Sequence, residues 1–137
     1  VIERQIAAAG LGGRVRFLGY LPRADIPALY RGATALLFPS LFEGFGMPVL
    51  EAMASGCPVV CSNTTSLPEI AGDAALQADP NDPEAFAAAL AELLRSPELR
   101  ASLRARGRAQ AARFTWRRHT VETLRVFNQV HQQLHRT

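Results

Sequence analysis

The chain has 137 residues, of which 48% are hydrophobic and 20% are charged, and its formal net charge is +3. This length and composition predict one globular domain with a hydrophobic core and argue against an intrinsically disordered chain. No apolar run approaches the roughly 20 residues that a membrane-spanning helix requires, so no segment is predicted to cross a membrane.

Predicted helices and strands alternate from the start of the chain. A helix at residues 1–9 ends in a glycine-rich turn, and the alternating apolar pattern of residues 15–18 predicts a strand. A short helix follows at about residues 24–32, because Ile26, Leu29 and Tyr30 share one helical face. Since the chain opens inside a predicted helix, we expect it to be a piece of a longer protein.

The middle of the chain predicts three further strands. Residues 35–38 form a continuous apolar run, as expected when helices cover both faces of a parallel sheet. Residues 58–61 predict another buried strand, and residues 74–78 predict a weaker one. Pro48 suits the first position of the helix between the first two of these strands, and Gly56 suits its end.

Four strands separated by helices predict an α/β fold. The expected architecture is a Rossmann-like parallel sheet with right-handed crossovers and helices on both faces. A complete doubly wound sheet has about six strands, so we expect one or two strands to lie upstream of Val1.

Cys57 and Cys61 are the two cysteines of the chain. If they lie along one strand, four steps of about 3.3 Å place their Cα atoms roughly 13 Å apart. A disulfide tolerates about 7 Å at most between Cα atoms. The pair is therefore predicted to be buried thiols in a reducing compartment.

The chain becomes helical and strongly basic towards its end. A helix starts near Pro83, another runs from Pro97 to about Phe114, and Thr115 is a predicted cap for one more, so the chain ends in two or three helices. Residues 1–96 carry six arginines against ten acidic residues, whereas residues 97–137 carry nine arginines against two. We expect residues 1–96 to form the ligand-binding domain and residues 97–137 to be a helical extension packed on it. The predicted packing face of this extension consists of Phe114, Trp116, Leu124 and Phe127.

The Arg-rich stretch at residues 100–118 allows two interpretations. It can be a solvated helix face, or it can make peripheral contact with anionic lipid; both remain open. Nucleic acid is not a predicted partner, because exposed aromatic residues are not interleaved with the arginines and the rest of the chain is acidic.

Residues 43–51 carry the clearest chemical signal. Two carboxylates, Glu43 and Glu51, flank a Gly-x-Gly loop that follows a predicted strand and runs directly into a helix. Free N–H groups at a helix start favour an anionic ligand such as phosphate, and Gly44 and Gly46 permit positive φ and close backbone approach. Carboxylates can accept hydrogen bonds from hydroxyls of the same ligand. Phosphate donors between two hydroxyl acceptors suit a sugar nucleotide.

Three segments are expected to meet at one edge of the sheet. Residues 19–22, 39–47 and 62–66 each follow a predicted strand. Ligands of open α/β sheets bind outside the carboxyl ends of the strands, so these segments are predicted to surround one crevice.

The order of these motifs resembles the retaining GT-B glycosyltransferases of family 4. The resemblance rests on residues 19–22, 38–40, 43–51, 51–60 and 66–73, and it covers nearly the whole chain. It implies the C-terminal half of a GT-B fold, the donor-binding domain, without its first strands. An acceptor domain and the basic residues that neutralise the leaving pyrophosphate would then lie upstream of Val1, and the chain alone would not turn over substrate.

The resemblance also implies a role for each residue of the site. Glu43 corresponds to the catalytic glutamate that hydrogen-bonds hydroxyls of the donor sugar, and Glu51 to the glutamate that binds the ribose. The remaining positions implied are Gly44, Phe45, Gly46 and Met47 at the donor sugar, Pro48, Val49 and Leu50 at the diphosphate, and Gly19, Tyr20 and Leu21 facing the nucleobase.

The activity implied is retaining transfer of a hexose from a nucleotide sugar to an acceptor hydroxyl. The donor is expected to be GDP-mannose or a UDP-hexose, and the resemblance of residues 66–73 to mannosyltransferases favours mannose. No cofactor and no metal are expected, since the family usually needs none, and His131 and His135 lack an evident third ligand. A cytoplasmic location, with or without peripheral membrane contact, is predicted. A non-catalytic module that binds a sugar nucleotide or a partner protein remains an alternative.

Overall fold

The computed structural model of the chain describes residues 2–135. Within these residues, three strands form a parallel sheet in the order β1 (Leu36–Phe38), β2 (Val59–Ser62) and β3 (Leu76–Ala78). Leu37 of β1 pairs with Val60, and Cys61 of β2 pairs with Gln77. The predicted α/β class with a parallel Rossmann-like sheet is confirmed.

Helices connect and flank these strands. They are α1 (Ile2–Ala8), α2 (Ile26–Gly32), α3 (Met47–Ala54), α4 (Leu67–Ala71), α5 (Pro83–Arg95), α6 (Pro97–Ala111) and α7 (Trp116–Leu134). The predicted helices agree with these bounds to within a few residues, except that Val1 lies outside the described residues. The predicted cap of α7 is confirmed, because Oγ1 of Thr115 accepts a hydrogen bond from the N–H of Arg118 at 3.1 Å. The short helix α4 was not predicted.

The predicted strand at residues 15–18 is wrong. These residues form no strand, and Val15, Phe17 and Leu18 are 40%, 62% and 47% exposed. A strand is stable only beside another strand that pairs with its backbone N–H and C=O groups, and no strand within residues 2–135 lies beside this segment. If residues 15–18 are the third strand of a doubly wound sheet of order 3-2-1-4-5-6, two other strands lie between them and β1, the fourth. The alternating pattern of residues 15–18 does not reveal whether a neighbouring strand is present.

The central strand β2 divides the hydrophobic core into two clusters. Val59 and Cys61 pack with α3 and α4 on one face of the sheet. Val60 packs on the opposite face with Phe86 and Leu93 of α5 and with α6. All four residues of β2 are buried, as predicted for a strand covered on both faces.

Strand β1 is less covered than predicted. Leu37 is 44% exposed, although its neighbours Leu36 and Phe38 are half-buried. Leu37 pairs with Val60, and the helix that covers Val60, α5, packs on β2 and β3. The expectation that helices cover both faces of β1 is therefore wrong for the described residues.

The last two helices differ in how they pack. α6 lies against α3, where a Cβ on Gly107 would come within 3.3 Å of the Met53 side chain. Gln110 of α6 is buried, and its Nε2 donates to the carbonyl of Ile70 at 3.0 Å, which caps the end of α4. By contrast, α7 contributes no buried residue within the part of the chain that the structure describes.

The predicted packing face of the terminal helices is confirmed at one position only. Phe114 packs against the core, whereas Trp116, Leu124 and Phe127 are 79%, 54% and 65% exposed. The periodic pattern of α7 identifies its apolar side but does not identify a surface that covers it.

Cys57 and Cys61 are free, buried thiols, as predicted. Burial raises the pKa of Cys61 from its ordinary value of 9.0 to about 12. The pKa of Cys57 is also raised, chiefly by burial, against smaller opposing effects of a backbone hydrogen bond and Arg104.

This burial predicts a loss of stability in alkali. As the pH rises from 9.0 towards about 12, the thiol of Cys61 ionises in the unfolded chain but stays protonated in the folded one. The unfolded state then binds fewer protons, so the free energy of unfolding falls by up to about 1.4 kcal/mol per pH unit. Urea unfolding between pH 7 and 10.5 should show a shallower pH slope for Cys61→Ala than for the unaltered chain. Equal slopes would contradict the prediction.

Candidate functional site

Two loops meet where β1 and β2 end. Residues 39–46 follow β1, and residues 63–66 follow β2. The N–H of Glu43 donates to Oγ1 of Thr65 at 3.2 Å, and Oγ of Ser66 donates to the carbonyl of Glu43 at 2.9 Å. The structure therefore brings together two of the three segments that were predicted to form the crevice.

The carboxylate of Glu43 lies at the surface of this junction. The side chain is half-buried, and Oε1 accepts a hydrogen bond from Oγ of Ser40 at 3.0 Å. No hydrogen bond to Oε2 is present within residues 2–135. One carboxylate oxygen is thus held by the protein, while the other can accept a hydrogen bond from a ligand hydroxyl.

Gly46 occupies a position that strongly favours glycine. It precedes α3 with φ 100° and ψ 42°, and a Cβ there would lie 2.7 Å from Cδ2 of Leu67. Gly44 is different, because its φ is not in the left-handed region and a Cβ would meet nothing within 4 Å. The positive φ expected at both glycines is therefore confirmed for Gly46 and wrong for Gly44, and close approach of a ligand to their backbone stays a prediction.

Four consecutive amides lead into α3, and the last of them belongs to its first residue, Met47. The N–H groups of Gly44, Phe45, Gly46 and Met47 donate no hydrogen bond within the described part of the chain. The amides of the predicted phosphate residues behave differently: Val49 and Leu50 both donate to the carbonyl of Gly46, at 3.0 and 3.3 Å. The available donors are thus those of residues 44–47, at the positive end of the helix dipole.

An aromatic contact supports the loop from the side of α6. The rings of Phe45 and Phe114 meet edge to face, with centroids 6.1 Å apart and planes at 84°. Phe45 is 43% exposed, so one side of its ring packs on Phe114 while part of the ring remains accessible.

Glu51 lies in a cleft between α2 and α3. The cleft has a volume of about 200 Å³ and is lined by Arg23, Ile26, Pro27, Tyr30, Glu51, Ala54 and Ser55. Burial raises the pKa of the Tyr30 phenol, and the negative charge of Glu51 and the Cys57 thiol raise it further. The cleft therefore combines a carboxylate, a phenol and the guanidinium of Arg23 in one place.

Sequence reasoning did not identify Arg23 or Tyr30 as site residues. The signal that it used, the apolar spacing of Ile26, Leu29 and Tyr30, predicted a packing face of α2 and nothing more. That spacing does turn Ile26 and Tyr30 towards α3, where they line the cleft beside Glu51.

The residues predicted to face the nucleobase lie on an exposed turn. Gly19 has φ 63°, Tyr20 is 92% exposed and Leu21 is half-buried. No hydrogen bond joins these residues to the two strand-end loops within residues 2–135. Among the residues that line the cleft beside Glu51, Arg23 lies nearest to this turn in the sequence.

The loop after β2 contains a strained residue. Thr65 has φ 55°, and it is the one non-glycine residue with positive φ in the part of the chain that the structure describes. For a β-branched residue this conformation costs about 1–3 kcal/mol and persists only where the surroundings enforce it. No sequence pattern indicated this strain.

The described residues were also compared with the requirements of a metal site and of a membrane-spanning helix. Within residues 2–135, no group of three or more His, Cys, Asp or Glu side chains is arranged to hold a metal ion. In the same range, no helix has the length and apolar character needed to cross a membrane.

Comparison with known proteins identifies relatives along most of the chain. Residues 1–110 match the family "Glycosyl transferases group 1". The chain is 50% identical over 115 residues to the O-antigen chain mannosyltransferase B of Escherichia coli, a match that covers 84% of this chain and 30% of that protein. The chain thus spans less than a third of the length of that relative.

Solved structures give the same picture of the fold. Sucrose-phosphate synthase from Thermosynechococcus elongatus superposes with a TM-score of 0.86 at 29% identity, over 96% of this chain and 34% of that one. The C-terminal domain of a glycosyl transferase group 1 family protein from Francisella tularensis superposes with a TM-score of 0.72 at 31% identity, over 81% of this chain and 58% of that one.

Proposed function

Because this chain belongs to the glycosyl transferases group 1 family, we propose that its strand-end loops bind a nucleotide-sugar donor for retaining transfer of a hexose to an acceptor hydroxyl. Its sheet and helices form the Rossmann-like C-terminal half of a GT-B fold. The observation that carries the proposal is the row of four unpaired amides between the carboxylate of Glu43 and the start of α3.

The sugar would bind between Glu43 and the loop amides. The free Oε2 of Glu43 is an acceptor for sugar hydroxyls, and the amides of Phe45, Gly46 and Met47 are donors to them. A charge-assisted hydrogen bond from a hydroxyl to a carboxylate is stronger than a neutral one. This combination supports Glu43 as the residue that orients the donor sugar.

The diphosphate would lie at the start of α3. Because Val49 and Leu50 use their amides within the helix, their contribution is the positive end of the helix dipole, together with the free N–H of Met47. In this position the helix would stabilise the charge that develops on the departing diphosphate. Pro48 has no N–H, so it adds no donor of its own.

The nucleoside would occupy the cleft beside Glu51. The carboxylate can accept hydrogen bonds from both ribose hydroxyls, and Arg23 can stack on a base or donate to its acceptor atoms. Gly19, Tyr20 and Leu21 are separated from Arg23 in the sequence only by Pro22, which supports their proposed place facing the base. Mannose is our preferred sugar and GDP our preferred nucleotide, since the 50% identical relative is named a mannosyltransferase.

Saturation-transfer NMR on the 137-residue chain tests this proposal. We expect transfer to the ribose and sugar protons of one nucleotide family among GDP, UDP, ADP and their hexose conjugates. In Glu51→Ala, nucleotide affinity should fall about tenfold or more, because removing a charged hydrogen-bond partner typically costs about 1.5–3 kcal/mol.

The control separates a specific site from weak surface binding. Glu98, an exposed acid at the start of α6, can be changed to alanine and should leave the signal intact. Equal transfer to wild-type and Glu51→Ala protein would show that Glu51 does not bind the nucleotide. If no nucleotide gives transfer, the same panel on the natural full-length protein decides whether the domain binds donors at all.

A further inference from the structure

We propose that Thr65 and Ser66 are positioning residues for Glu43, whose main chain their hydroxyls hold in place. The inference rests on the proposed function of Glu43 at the donor sugar. It assigns a role to the turn after β2, which supplies no atom to the sugar contacts described above.

The geometry holds Glu43 at both of its backbone polar groups. Its N–H donates to Oγ1 of Thr65 at 3.2 Å, and its carbonyl accepts from Oγ of Ser66 at 2.9 Å. The side chain is held as well, because Ser40 donates to Oε1 at 3.0 Å. Three hydroxyls from two loops therefore leave Glu43 little freedom to rotate its free Oε2 away from the ligand side.

The hydroxyl of Thr65 has a defined direction. Its proton is donated to the carbonyl of Thr64 at 2.8 Å, so its oxygen serves as the acceptor for the N–H of Glu43. The positive φ of Thr65 is part of the conformation that presents this oxygen. A β-branched residue rarely adopts that conformation, and glycine or asparagine would adopt it more easily. A hydroxyl at this position thus comes with backbone strain.

The same turn also contacts the far end of the Gly-x-Gly loop. Leu67 directly follows Ser66, and its Cδ2 lies 2.7 Å from the position that a Cβ of Gly46 would take. Residues 65–67 therefore lie against the loop at Glu43, just before the unpaired amides, and again at Gly46, which carries one of them. This arrangement fixes the carboxylate and the amides relative to each other.

The test uses Thr65→Gly and Ser66→Ala in the natural full-length protein, with the donor that the NMR panel selects. Thr65→Gly removes the hydroxyl and also relieves the backbone strain, so its melting temperature should not fall. We expect kcat for donor turnover to fall about 10- to 100-fold in each variant, because small misplacements of a substrate-orienting group have effects of this size. Affinity for the nucleoside diphosphate without sugar should stay unchanged.

Two controls complete the experiment. Ser66→Thr keeps a hydroxyl and should recover most of the activity that Ser66→Ala loses. Ser102→Ala removes an exposed hydroxyl on α6 and should leave kcat unchanged. Unchanged kcat in both Thr65→Gly and Ser66→Ala would overturn the inference. The inference would also be overturned if the loss of kcat were accompanied by a lower melting temperature and by weaker nucleotide binding.

Glu43→Gln, measured in parallel, distinguishes this inference from the function on which it rests. If Glu43→Gln retains full turnover, the proposed role of Glu43 is wrong, and the positioning inference is overturned with it. If Glu43→Gln is inactive while Thr65→Gly and Ser66→Ala are fully active, the donor-binding proposal stands and only the positioning inference is overturned.

Discussion

Gly46→Ala is expected to abolish donor binding and to destabilise the domain by about 2–4 kcal/mol. The added Cβ would lie 2.7 Å from Cδ2 of Leu67, closer than real Cβ contacts come, and Leu67 is fully buried, so its side chain must shift within the core. The residue would also hold φ at 100°, a conformation that an L-residue rarely adopts. Relief of either problem moves the loop, and with it the amides of Phe45 and Met47.

Gly44→Ala is the matched control for this prediction. Its Cβ would meet no atom within 4 Å, and its φ is not in the left-handed region, so stability should change little. Urea unfolding and donor NMR on the two variants give the comparison. If Gly46→Ala unfolds at the same urea concentration as Gly44→Ala, the contact with Leu67 does not constrain the loop.

Glu43→Gln is expected to lower kcat for hexose transfer by about 10- to 100-fold, while affinity for the nucleoside diphosphate stays nearly constant. Glutamine keeps the shape and can still accept from Ser40, but it loses the charge that strengthens the hydrogen bond to a sugar hydroxyl. The nucleotide contacts proposed for Glu51 lie in a separate cleft and are not altered. Steady-state kinetics on the natural full-length protein, with titrations of the nucleotide, measure both quantities.

Glu51→Gln should give the opposite pattern and thus serves as the control. Its nucleotide affinity should fall, and its kcat at saturating donor should change less than that of Glu43→Gln. If the two variants lose kcat and nucleotide affinity in the same proportion, the separate roles proposed for Glu43 at the sugar and Glu51 at the ribose are wrong.

Local signals in the sequence were sufficient for most of the fold. Apolar runs predicted β1, β2 and β3, and the hydroxyl of Thr115 predicted the start of α7. The distance along a strand also separated Cys57 from Cys61 correctly. In each case the physical cause acts within a few residues, so a short window of sequence contains it.

The wrong predictions concern segments whose structure depends on residues far away in the sequence. Residues 15–18 have the alternation of a strand, but a strand also needs a neighbour, which the described residues do not supply. Leu37 has the character of a covered strand residue, yet α5 packs on the neighbouring strands. The apolar side of α7 is likewise evident from its pattern, while its exposure is not.

The candidate site shows the same division. The spacing of Glu43 and Glu51 around a glycine loop predicted the candidate region, since those residue types carry the proposed chemistry themselves. Thr65 and Ser66 gave no such signal, because they act through hydrogen bonds to a residue more than 20 positions away. Arg23 lies just before α2, and it lines the cleft because α2 packs on α3.

The edge-to-face contact between Phe45 and Phe114 has a consequence for the thermodynamics of ligand binding. A loop that is mobile before binding must lose conformational entropy when a ligand orders it, and that loss is subtracted from the affinity. Here the aromatic ring of Phe45 already packs on Phe114, in the segment between α6 and α7. Binding should therefore proceed with a small entropy penalty, and the loop should keep the same conformation in the free and the occupied domain.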